Sequence, residues 1–63
     1  MDENKKLLQL QIQALKTQLA NALDDDRRRA EVAAQMATYK LDGGAFQDAI
    51  SIVQLGARLA KLA

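Results

Sequence analysis

The apolar positions in the first half of the chain keep a helical interval. Leu8, Ile12, Leu15 and Leu19 stand four, three and four residues apart, which is two heptads of a coiled-coil seam. Extending the interval at 3.6 residues per turn reaches Ala30, Ala33, Ala37 and Leu41, all small or apolar. The string Leu8-Gln9-Leu10-Gln11-Ile12-Gln13 also alternates as a strand does. A helix is the better reading, because Leu, Gln, Lys and Ala dominate around it and the chain offers no second strand to pair with it.

Asp42-Gly43-Gly44 is the strongest punctuation. Gly takes the left-handed position after a helix without steric cost, so two in succession predict a turn. Beyond the turn, Phe46, Ile50, Val53, Ala57 and Ala60 form one apolar stripe, and Ile52, Leu55, Leu59 and Leu62 form a second beside it. Gln47, Ser51, Gln54, Arg58 and Lys61 make the single polar stripe, so the pattern predicts an amphipathic helix with a wide apolar face. Asp48 near its start and Lys61 near its end suit the helix dipole, as Asp2 and Glu3 do at the start of the chain. Gly56 interrupts this helix at about 1 kcal/mol relative to Ala. Close approach of another helix is the expected compensation.

The run Asp24-Asp25-Asp26-Arg27-Arg28-Arg29 decides the topology. Each Asp lies three or four residues before an Arg, which supports a continuous helix, and the seam resumes in phase beyond the run. The expected fold is therefore all-α: a helical hairpin of one long helix, about 3–41, and one shorter antiparallel helix, about 45–62. The alternative is a three-helix bundle with a break near 23–25, where Asp24 would act as an N-cap. Either way, residues 1–63 form a single domain, divided into a coiled-coil-like arm over 2–22 and a hairpin over 23–63.

A helix of that length is about 60 Å long and its companion only about 27 Å. The short helix would meet a hairpin core of Ala30, Ala33, Ala37 and Leu41 with its own Phe46, Ile50 and Val53. The arm would stay uncovered. Leu8, Ile12, Leu15 and Leu19, with Ile52, Leu55, Leu59 and Leu62, are then expected to form an oligomer interface, most simply in a homodimeric helical bundle. Self-association suits a chain of 63 residues without Cys, which has neither disulfides nor a large core to rely on.

Composition narrows the chemistry. With no His and no Cys, the usual nucleophile–base pairs and the commonest transition-metal ligands are missing, so the expectation is a non-enzyme without cofactor or metal. The three aspartates point about 100° apart on a helix and cannot converge on one ion. Nine basic and eight acidic residues leave a net charge of +1, and Tyr39 and Phe46 are the only aromatic residues, which disfavours nucleic acid. No apolar run reaches membrane-spanning length and no signal-peptide pattern opens the chain, so a cytoplasmic protein is expected.

The function left is binding other proteins. Arg27, Arg28 and Arg29 could grip a carboxylate or phosphate, and Val32, Met36 and Tyr39 recur at helical spacing as a candidate partner surface. The leading expectation is a small oligomeric adaptor or inhibitor, of phage or bacterial type, that occludes a larger protein. A weak nucleic-acid or phosphate binder acting through Arg27–Arg29 is a rival reading. Another comes from Gln18-Leu19-Ala20-Asn21-Ala22-Leu23 and Ala49-Ile50-Ser51-Ile52-Val53, which resemble in shape the two-helix co-chaperones of type III secretion needles. That resemblance implies a chain stable only with a partner subunit.

Overall fold

A computed structural model describes residues 3–61. It contains helix α1 (Glu3–Gln18), a 3-10 turn (Leu19–Asn21), helix α2 (Asp24–Asp42) and helix α3 (Phe46–Leu59), with no strand among the described residues. Asp2 and Leu62, named above for a helix start and an oligomer stripe, lie outside the described residues.

The all-α expectation holds, and the three-helix alternative fits. The continuous helix over 3–41 does not: the chain breaks between Gln18 and Asp24. Ala22 and Leu23 are extended, with ψ of 157° and 152°, and α2 restarts when the Arg27 N–H donates to the Leu23 carbonyl at 2.7 Å. The cap is Leu23 and not Asp24, which is the first residue of α2, and no side chain caps that end. Asp24, Asp25 and Asp26 instead place three carboxylates in the first turn, where the helix dipole is positive. The charge run that suggested continuation is thus a helix start. Its phase agreement with α1 arises because both helices turn their apolar side to one core.

Burial explains the break physically. A straight arm would expose its leucine seam, whereas folding α1 back leaves Leu8, Ile12, Leu15 and Leu19 only 2–4% exposed. Burying one Leu or Ile is worth roughly 1.5–3 kcal/mol, well above a few i, i+4 charge pairs at about 0.2–0.5 kcal/mol each. The molecule measures 36 × 15 × 15 Å, far shorter than a 40-residue rod would be.

Large side chains come mostly from α1 and small ones from α2 and α3. Leu8 and Ile12 pack with Ala37, Leu41 and Ala49, with Ile52 and Val53 alongside. Leu15 and Leu19 pack with Ala30, Ala34 and Ala60, bordered by Ala22, Val53, Ala57 and Leu59. Gly56 marks the tightest point. A Cβ there would stand 2.9 Å from Leu15 Cδ2 and 3.3 Å from Ala33 Cβ, so this residue meets both other helices. The expected close approach is present, with Gly56 opposite Ala33.

The α2–α3 turn follows from its glycines. Gly44 has φ of +84°, its N–H donates to the Leu41 carbonyl at 3.0 Å, and the Ala45 N–H donates to the Lys40 carbonyl at 2.9 Å. These are the two bonds of a Schellman motif, which satisfies the carbonyls at the end of α2.

Two outcomes test this packing by urea denaturation. Gly56→Val should destabilise by about 1–3 kcal/mol through overpacking against Leu15 and Ala33. Gly44→Ala should cost about 1 kcal/mol, because a side chain is strained at that φ.

Candidate functional site

The structure redistributes the residues expected to act. Leu8, Ile12, Leu15 and Leu19 are interior to the single chain and are not available as an oligomer seam. Ile52 and Leu59 are half-buried against the two core clusters, and Leu55 is 47% exposed. Ala30, Ala33, Ala37 and Leu41 are buried, and Val53 is packed against the core. Phe46 and Ile50 depart from that group. They lie at the margin, where α3 and the start of α1 leave a groove lined also by Asn4, Leu7 and Gln11. The third helix is the reason: α1 takes the central position that these two side chains would fill in a two-helix hairpin.

The arginine triplet is divided by the helix. Arg27 is half-buried and its Nη2 donates to Asp24 Oδ1 at 2.8 Å. Arg29 Nη1 lies 3.9 Å from Asp26 Oδ1. Arg28 is exposed and makes no ion pair among the described residues. Three adjacent side chains pointing in different directions, two of them against carboxylates, do not form a phosphate-gripping cluster.

Val32, Met36 and Tyr39 do come together. They are 53%, 51% and 77% exposed, on the side of α2 opposite its buried Ala30, Ala33, Ala34 and Ala37. At 100° per residue, Arg28 falls on the same outward side. The face is therefore an apolar ridge with three exposed charged residues, Asp25, Arg28 and Arg29, at its N-terminal end. Its residues contribute nothing to the core, so their apolar character has no structural explanation within the chain.

Asp26 is the functional-looking residue that sequence reading passed over as a surface charge. It is 8% exposed, and its Oδ2 lies 3.6 Å from Lys61 Nζ, joining the start of α2 to the turn that follows α3. Lys61 sits at φ of 59°, where its N–H donates to the Arg58 carbonyl at 3.0 Å. The sequence carried a signal: Asp26, Ala30, Ala33 and Ala37 share the core interval, so Asp26 had to face inward. With Lys61 and Arg29 beside it, this carboxylate serves the fold.

Nothing else in the described residues assembles chemistry. The Thr17 and Thr38 hydroxyls donate to carbonyls of their own helices, Gln13 at 3.0 Å and Ala34 at 3.1 Å. No group of acidic side chains is placed to hold a metal ion among the described residues. No described helix is long and apolar enough to cross a membrane. The α1–α2 groove is lined by Gln9, Ile12, Gln13, Lys16, Thr38, Leu41 and Asp42, with no nucleophile paired to a base. No protein family, curated protein or solved structure matches this chain.

Thermal or urea unfolding separates ridge from core. Val32→Gln, Met36→Gln and Tyr39→Gln should each leave stability within about 0.5 kcal/mol. Leu15→Ala, by contrast, should cost about 2–5 kcal/mol.

Proposed function

We propose that this chain is a non-enzymatic protein-interaction module, a small adaptor or inhibitor that docks on other protein chains through the outer face of α2. The observation that carries the reading is the ridge of Val32, Met36 and Tyr39, exposed on a helix whose core side is already satisfied. Tyr and Met are favoured at interfaces, where each brings a large contact area with an adaptable or polar tip. Arg28, exposed on the same side, suits a carboxylate on the partner, since a guanidinium binds one with two parallel hydrogen bonds. The mode is that of an amphipathic helix laid in a groove, with anchors at i, i+4 and i+7.

The arm no longer motivates assembly, because its seam is enclosed by α2 and α3. For the same reason a chain stable only with another subunit loses its rationale: the Leu8, Ile12 and Leu15 seam of α1 is already covered. Self-association stays within the proposal, moved from α1 to the ridge.

The test compares capture of interacting proteins from the native host by the wild-type chain and by a Val32→Asp/Met36→Asp double variant. The expected result is retention of specific partners by the wild type and their loss in the variant, with melting temperatures within a few degrees of each other. Equal capture by both would refute the role of this face.

A further inference from the structure

We infer that one occupant of the α2 face is a second copy of this chain, paired antiparallel about Gln35; the inference rests on reading that face as a docking surface. The ridge defines a coiled-coil frame on α2, with Val32 and Tyr39 at one seam position and Met36 at the other. In this frame Arg28, Gln35 and Asp42 recur every seven residues along one flank, and all three are exposed. The flank therefore runs from a cation through a neutral amide to an anion.

That order is self-complementary in one orientation. When two copies pack antiparallel, the flank faces its own reverse. Arg28 then meets Asp42 of the partner subunit, Gln35 meets Gln35 of the partner subunit, and Asp42 meets Arg28 of the partner subunit. The same register sets Val32 against Met36 of the partner subunit. It also brings Tyr39 to Arg29 of the partner subunit, whose guanidinium can lie over the phenol ring. A parallel pair would instead stack Arg29 on Arg29 and Asp25 on Asp25. Charges flanking a helical seam decide orientation in this way, and like charges facing each other exclude the wrong one. Neither Arg28 nor Asp42 is in an ion pair among the described residues, so the pairing of these two charges requires no ion pair of the folded chain to break.

Sedimentation velocity and light scattering from roughly 10 μM to 1 mM test this, a range suited to a small interface. The wild type should pass from monomer to dimer within it. Arg28→Asp and Asp42→Arg should each weaken the dimer about tenfold, because each reverses both end pairs. An equimolar mixture of the two variants should recover wild-type association, since the mixed pair again opposes unlike charges at both ends. Both substitutions suit the dipole of α2, and circular dichroism should show unchanged helicity. A wild type that stays monomeric throughout, or a mixture no tighter than either variant alone, overturns the inference. If self-pairing fails while the Val32→Asp/Met36→Asp variant still loses its captured partners, only the second copy is refuted as occupant. If both fail, the reading of the face falls too.

Discussion

The fold depends on how closely α2 and α3 allow α1 to approach. Those two helices present mainly alanines and one glycine to the core, together with Leu41, Ile52 and Val53, and α1 presents leucines and an isoleucine. The arrangement is a layer of large side chains on a layer of near-bare backbone. It allows a molecule 15 Å across to enclose two core clusters bridged by Val53. At Gly56 the spacing leaves no room for a methyl group without displacing Leu15 or Ala33. The helix-propensity deficit of glycine in the middle of α3 is therefore the local cost of the three-way contact.

This packing also divides the surface by cause. Side chains at the margins of the core, such as Phe46 and Ile50, are apolar because they cover its edges. Val32, Met36 and Tyr39 cover nothing in the chain, and their character needs a partner as its reason. The acidic start of α2 separates in the same manner. Asp24 holds Arg27 at the surface, while Asp26 turns inward to meet Lys61. One triplet of identical residues thus does two jobs, assigned by helical angle alone.

Much of this was legible in the pattern of residues. The Gly43-Gly44 turn, the start of α3, the inward alanines of α2 and the close contact at Gly56 all follow from local chemistry and period, whereas α3 ends at Leu59, short of the expected 62. The break at Leu19–Leu23 was legible only as the alternative near 23–25, because neither Pro nor Gly marks it and Ala22 and Leu23 are ordinary helix formers. A seam of constant period reads the same whether one helix continues or two turn the same side to a common core. Only the energetic comparison distinguishes them: an uncovered row of leucines is worse than a few residues of extended chain. The ridge of Val32, Met36 and Tyr39 was visible as a spacing, but the sequence could not say that α3 and α1 would leave it outside.

The two connections have a kinetic consequence. The α2–α3 turn and the Leu19–Leu23 link are both short, so α1 meets α2, and α2 meets α3, across only a few residues of chain, and the contact of α1 with α3 then closes the bundle. Little loop entropy is lost before the apolar groups meet, and bundles of this kind reach their native state in microseconds to milliseconds. Such a chain leaves its apolar seams unsheltered only briefly after synthesis, which limits the time for misassembly.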